Sequence, residues 1–280
     1  MTQRDVSAHR RAFAELHESG CFVIPNPWDV GSARYLRHLG FKALATTSSG
    51  FAFTRGLPDE GAVTRDLVLD HVAEIAAHAD LPVNADFQSG YAADPRGVEE
   101  SVRLCVAAGV SGLSIEDSTG DPKQPLFDLP VAVDRVRAAL RAVAGSGVLL
   151  TARAECYLVG HPKPLEESIR RLRAYAEAGA HVLYAPGPRD AGDLREIVAA
   201  VAPKPVNVLL VPGGLRVSEL AALGARRLSV GSVLARAAWT GFLGAARSLA
   251  AEGTFGSGEL VSYAELDAFF RQDAGARSRS

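Results

Sequence analysis

GVLLTARAE, residues 147–155, is a short apolar run that ends abruptly in charge at Arg153 and Glu155. The same pattern recurs along the chain. Asp86 follows LPVNA (81–85), Glu116 and Asp117 follow SGLSI (111–115), and Asn207 follows KPV. Short apolar runs without alternation suit strands buried on both faces, as in a parallel sheet. CFVIP (21–25), KALAT (42–46), HVLYA (181–185), KPVNVLL (204–210) and RRLSV (226–230) complete a set of eight. Helical patterns separate them, at 30–40, 64–79, 94–109, 129–145, 164–179, 190–202, 216–224 and 232–253. Several close on a glycine suited to a C-cap, and Thr64 and Asp94-Pro95 suit helix starts. Eight strand–helix units in this length predict a (β/α)8 TIM barrel, whose strand ends converge on one mouth. A doubly wound open sheet is the alternative, but the turn after the first strand, PNPWDVGS (25–32), lacks the glycine fingerprint of that fold.

The 280 residues carry a net charge of −2 with 22% charged residues, which gives nucleic acid no basic surface to bind. At 48% hydrophobic the chain can bury a large core. It reads as a single α/β-barrel domain over 1–280. A helix over 5–19 comes first, then the barrel over about 21–253, an amphipathic helix over 259–272 and a frayed tail at 273–280. The opening MTQRDVSAHRRAFAEL is polar and helical in pattern, without the apolar run of a signal peptide. No apolar stretch is long enough to span a bilayer, so no membrane partner is expected. Cys21, Cys105 and Cys156 are odd in number and widely spaced. That suits reduced thiols in a cytoplasm and neither a disulfide framework nor a zinc site.

Barrel closure would gather the strand-end residues into one site. Asp86 and Glu116 end neighbouring strands, so their carboxylates can reach one point. Two hard oxygen ligands plus water suit Mg²⁺, and the alternative is a helix cap and a pairing with arginine. Arg153 can fork onto a substrate carboxylate or bridge to Glu155 or Glu116. Asn207 can bond a ligand oxygen or a loop backbone. Thr47, Ser48, Ser49 and Gly50 offer donors for a small anion, or form an ordinary turn. Residues 47–63 and 116–128 read as long loops at the mouth, the second as a lid or clamp or else a turn stiffened by Pro122 and Pro125. His161 is the one histidine expected near the mouth. The four lysines (Lys42, Lys123, Lys163 and Lys204) fall at strand starts or in loops, so none suits a Schiff base.

GLPDEG (56–61), NADFQSGY (84–91), SIED (114–117), TARAE (151–155) and PVNVLL (205–210) together resemble the isocitrate lyase/phosphoenolpyruvate mutase superfamily, over about residues 21–250. The resemblance implies an α/β barrel that binds Mg²⁺ and small 2-oxo acids or oxy-dicarboxylates, acting on C–C or C–P bonds through an enolate. It also implies a homo-oligomer, dimer or tetramer, built by exchanging the eighth barrel helix, and the apolar stretch around Trp239 and Phe242 agrees with this. By the resemblance Asp86 and Glu116 match metal-site carboxylates, and Asp59 matches an acid near the metal waters. Arg153 matches the arginine that grips substrate, Thr47, Ser48 and Ser49 the turn that holds a carboxylate, and Asn207 a substrate-contacting asparagine.

The departures are specific. The superfamily has Asp-x-Asp after strand three, where this chain has Asn84-Ala85-Asp86; the Asn84 amide can still offer Mg²⁺ an oxygen, but without charge. Residues FQS (87–89) reshape the following turn. The loop GDPKQPLFD (120–128) lacks the Cys and His of the lyases, and YAPGP (184–188) lacks their Glu after strand six. Asp59, Lys123 and Tyr157 are left as acid/base candidates. The expected activity is a Mg²⁺-dependent C–C lyase or hydrolase of a small 2-oxo acid or oxy-dicarboxylate. The alternatives are a 2-oxo acid-binding protein with little catalysis, and a C–P phosphonomutase or phosphonopyruvate hydrolase.

Overall fold

The computed structural model describes residues 3–59, 61–256, 258 and 260–277. Helix α1 (Gln3–Leu16) precedes β1 (Phe22–Ile24), α2 (Val30–His38), β2 (Leu44–Ala45), α3 (Ser48–Thr54) and α4 (Arg65–His78). Then come β3 (Val83–Asp86), α5 (Pro95–Ala107), β4 (Gly112–Glu116), α6 (Leu129–Val143), β5 (Leu149–Arg153) and α7 (Pro164–Ala178). The series ends with β6 (Val182–Tyr184), α8 (Ala191–Val201), β7 (Val206–Leu209), α9 (Val217–Ala222) and β8 (Arg227–Ser229). The strands form one parallel sheet in which each sequential neighbour pairs from β2 round to β8, and β8 pairs with β1. Between β1 and β2, the Ala45 N–H donates to Pro25 O at 3.0 Å, so the sheet is a nearly closed (β/α)8 barrel.

Local chemistry sets the helix ends as the sequence predicts. The Thr64 hydroxyl accepts from Leu67 N–H, and the Asp94 carboxylate accepts from Gly97 N–H at 2.8 Å with Pro95 in the first turn. Gly179 ends α7 at φ 109°, a left-handed cap that a side chain would strain. The segment after β2 differs from expectation. Ser48–Thr54 is helical rather than loop, because Thr47 caps Gly50 N–H and the following Phe51 and Ala52 find cover in the core.

The main core lies between the strands and their helices. A second cluster of Phe13, Ile24, Ala43 and Ala45 closes the barrel floor, with Phe13 supplied by α1. β4 starts on glycine for a steric reason: a Cβ on Gly112 would sit 2.6 Å from the Phe13 ring and 2.7 Å from Asn84 Oδ1. That plug leaves the upper barrel free for polar side chains.

By its internal packing the chain forms two compact units, Met1–Val233 and Leu234–Ser280. The second holds most of α10 (Val233–Glu252) and all of α11 (Tyr263–Arg277). Helix α11 runs to Arg277, past the 272 limit read from the pattern, and the rest of the expected tail, 278–280, lies outside the described residues. On α10, Trp239 and Phe242 stack edge to face at 5.2 Å and both are exposed. No helix is long and apolar enough to cross a membrane among the described residues.

Candidate active site

One register row crosses half the barrel. Glu116 pairs with Arg153, Arg153 with Tyr184, Tyr184 with Asn207, and Asn207 with Arg227. Glu116 is the last residue of β4, whereas Arg227 is the first of β8. The row therefore descends from the mouth toward the floor, as the stagger of a tilted barrel requires. A cavity of about 240 Å³ opens along it, lined by Thr47, Asp86, Arg153, Tyr184, Asn207 and Arg227 among others. Drug-sized pockets start near ~300 Å³, so this one suits a small acid.

The mouth is built around Arg153. Its Nε donates to Glu155 at 2.8 Å, one terminal nitrogen donates to Asp86 at 2.8 Å, and the other lies 3.2 Å from Glu116. Three ionised carboxylates against one guanidinium would leave a net charge of −2. Burial depresses the ionisation of Arg153, but Glu155, Glu116 and Asp86 outweigh it and hold the guanidinium well above its ordinary value. Burial pushes Glu155 up, with Arg153 opposing and Asp117 and Asp86 adding to it. Of the sequence alternatives for Arg153, pairing with Glu155 and Glu116 is realised, and Asp86 joins them.

Each acid has its own support. Asp86 accepts the Ser48 N–H at 2.9 Å, and its own N–H donates to the Thr46 hydroxyl at 2.9 Å. Glu116 N–H donates to Gln88 O at 2.9 Å, where Gln88 turns the chain at φ 42° in the inserted FQS segment. Glu155 N–H donates to Asp117, which also accepts from Arg171 and Tyr175, so Asp117 braces the β5 end from the core side. Thr47, Ser48 and Ser49 line the cavity. The Thr47 hydroxyl caps α3 and the Ser48 N–H is taken by Asp86, so hydroxyls rather than that N–H are left to face a ligand.

The profile of the phosphoenolpyruvate phosphomutase family matches residues 13–250. The chain belongs to that family. It is an enzyme of the isocitrate lyase/phosphoenolpyruvate mutase superfamily. Among solved structures, a putative lyase/mutase from Burkholderia cenocepacia J2315 is 44% identical with a TM-score of 0.91, covering 95% of this chain and 98% of that one. An uncharacterized protein of Mycobacterium tuberculosis is 34% identical, over 92% of this chain and 95% of its own length. The oxaloacetate decarboxylase of Pseudomonas entomophila is 31% identical, over 78% and 76%.

Not every residue expected at the family site joins it. Asp59 lines the cavity at its outer edge, where it accepts from Gln88 Nε2 at 3.4 Å. Lys123 is exposed on the β4–α6 loop and is not among the cavity-lining residues; its N–H donates to Asp121 within a turn closed by a Ser118–Leu126 bridge. Tyr157 is turned away, donating to Asp193 on α8 at 2.9 Å, and burial followed by that bond pushes its hydroxyl well up. Nor does His161 line the cavity; its Nδ1 accepts the Lys163 N–H. Asn84 lines the cavity deeper than Asp86. It lies one inward position below Asp86 on β3, its Nδ2 donates to Ala85 O, and its buried Oδ1 faces Gly112 without a partner. No cluster of three or more His, Cys, Asp or Glu arranged to hold an ion occurs among the described residues.

Sequence reasoning passed over Arg227, Tyr184 and Ser229, which all line the cavity. For Arg227 and Ser229 the signal was the run RRLSV, and for Tyr184 it was the end of HVLYA. An arginine as the second residue of a strand buried on both faces must point either into helices or into the barrel, and Arg227 points into the barrel. Asn207 is spoken for by this set: its Oδ1 accepts from Arg227 Nε at 2.8 Å and its Nδ2 donates to the Ser229 hydroxyl at 2.9 Å.

Proposed function

We propose that the chain is a Mg²⁺-dependent C–C lyase or hydrolase acting on a small 2-oxo acid or oxy-dicarboxylate. The observation that carries this is the meeting of Asp86, Glu116 and Arg153, from three separate strands, beside a small cavity at the strand C-terminal ends. The donor chemistry fits the ion, since a hard cation favours carboxylate oxygens and tolerates water in its remaining positions, and the cluster carries excess negative charge. Asp86 and Glu116 would hold it, and Asn84 is left out. When bound there, Mg²⁺ supplies a Lewis acid to polarise a carbonyl and favour an enolate-like intermediate.

The rest falls to the protein's own side chains. Arg153 has five N–H donors and spends three on carboxylates, which leaves two to orient a substrate carboxylate. The hydroxyls of Ser48 and Ser49 face the same ligand from α3. Glu155 and Asp117 keep Arg153 from rotating away. The similarity to oxaloacetate decarboxylase supports C–C chemistry, and membership of a phosphomutase family supports the C–P alternative tested below.

Calorimetry and turnover assays with pyruvate, oxaloacetate and 2-oxoglutarate test this reading. Release of a C–C cleavage product from a dicarboxylate is expected, lost on chelation and restored by Mg²⁺. A second reading, an acid-binding protein with little catalysis, draws on the placement of Lys123 and Tyr157, neither of which reaches the cavity. Micromolar binding of these acids without turnover would select it. Turnover of phosphonopyruvate, followed by phosphorus NMR, would select the C–P alternative instead.

The exposed apolar residues of α10, Trp239, Phe242 and Leu243, support a homo-oligomer, dimer or tetramer, joined by exchange of this helix. Light scattering is expected to give a multiple of the 29.5 kDa chain mass, and a monomer would remove the proposal. A cytoplasmic setting is proposed from the three unpaired thiols.

A further inference from the structure

Arg227 is a buried cation without a counter-ion. Its side chain is inside the barrel and the residue is only 3% exposed. Nε donates to Asn207 and one terminal nitrogen donates to the Thr151 hydroxyl at 3.0 Å, both neutral acceptors, while the other is buried with no partner. Among the described residues no carboxylate pairs with it, and Arg153 acts on it as a like charge. The other buried arginines are treated differently. Arg171 pairs with Asp117 and Glu167; Arg135, though also held by neutral carbonyls of Ser89, Ala92 and Ala93 with its Nε unpartnered, lies under the Phe127 ring and does not line the cavity.

Burial brings the Arg227 guanidinium down to about 10, so it keeps its charge at neutral pH. Beneath it, burial and then the Arg227 charge push His17 down to about 3, so the floor supplies a neutral ring and no anion. An unpaired buried charge is costly, whereas an apolar side chain would pack the same space without that cost. Arg227 nonetheless lines the same cavity as Asp86 and Arg153, at the low end of the row that Glu116 begins.

We propose that Arg227, held by Asn207 and Thr151, is the inner anion-binding residue of the cavity and selects acids with a second, distal carboxylate over monocarboxylates. This rests on the reading of Asp86, Glu116 and Arg153 as the site of the first carboxylate and its adjacent oxygen. The substrate then lies along the row, one end at the acid–arginine cluster and the other on Arg227. The chain is thereby a dicarboxylate enzyme rather than one for pyruvate.

L-malate and 2-hydroxybutyrate form the test pair, because they share the first carboxylate and hydroxyl and differ in a distal carboxylate against a methyl group. Calorimetry with Mg²⁺ is expected to show wild type preferring malate by at least about tenfold, the scale of one charge-assisted contact. In Arg227→Gln the preference should vanish through loss of malate affinity alone, and Arg227→Lys, which keeps charge but not the fork, should fall between. Retention of the malate preference in Arg227→Gln would overturn the inference. If neither variant folds, the wild-type pair still decides it: equal affinity for both acids overturns it. Equal affinities that still depend on Asp86 overturn Arg227's role alone. If neither acid binds wild type, or both bind Asp86→Ala as well as wild type, the reading of the outer site falls with it.

Discussion

Asp86→Asn is expected to lower kcat/KM by at least about 10³-fold, or about 4 kcal/mol of transition-state stabilisation, while leaving the thermal midpoint close to wild type. The two halves of this expectation come from the same geometry. Asp86 is one of three acids on Arg153, and it faces the cavity. Removing its charge reduces the excess of negative charge, so Arg153 stays paired with Glu116 and Glu155. The amide oxygen can still accept the Ser48 N–H, while the NH2 takes the place of the oxygen that accepted from Arg153, so that one bond is lost. Stability therefore changes little, because lost attraction is offset by relieved repulsion. Activity has no such compensation, since a proposed ion held by Asp86 and Glu116 loses half its anionic ligands. Asp86→Ala serves as the harsher version, with an orphaned Ser48 N–H costing about 1–3 kcal/mol. Steady-state kinetics with whichever acid the turnover assays show to be cleaved, alongside thermal unfolding of both variants, make the measurement. Wild-type turnover in either variant would mean that Asp86 is not part of the site.

Much of this arrangement was legible before any coordinates. The eight strands announced themselves because each is short, apolar and bounded by turn or cap residues, and a parallel barrel leaves little freedom once that pattern is seen. Residues 86, 116 and 153 were legible as one site because each ends its strand, and strand ends share a mouth. The α3 helix was hidden because seven residues give too short a window for helical periodicity, and its first three, Ser48-Ser49-Gly50, are turn formers. Partner choice was also hidden. Nothing in TARAE says whether Arg153 holds Glu155 or a ligand, because the answer depends on where β3 and β4 place Asp86 and Glu116. The depth of Asn84 was hidden for a related reason. Two residues along a strand share a face but stand about 7 Å apart in height, so Asp86 and Asn84 sit in different layers. Arg227 was overlooked because the stagger of the barrel, not the strand itself, brings a residue at the start of β8 into a cavity opened by the ends of β3 to β5.

Arg153→Met should be the most damaging substitution to the fold itself, and its damage should shrink as the pH falls. Methionine fills much of the arginine's volume, so the packing loss is small, but Asp86, Glu116 and Glu155 are left facing one another without their cation. Breaking a buried pair in this way costs about 3–5 kcal/mol at neutral pH. The pH dependence follows from Glu155. Burial already raises it above the ordinary carboxylate value, and the main opposing influence is Arg153. Without Arg153 it rises further, and the folded variant binds protons that the unfolded chain does not. A group raised on folding favours the folded state fully below its unfolded value and loses that contribution as pH climbs through the folded value. The deficit of Arg153→Met relative to wild type is thus largest at the alkaline end of a pH 5–8 series and shrinks toward its acid end as Glu155 takes up its proton. Thermal midpoints of both proteins across that range measure it. A deficit that stays constant, or widens on acidification, would show that Arg153 does not neutralise the acid cluster. Arg153→Lys separates charge from shape: the ammonium restores most of the stability, yet cannot reach three carboxylates and a substrate with a planar fork, so activity stays low.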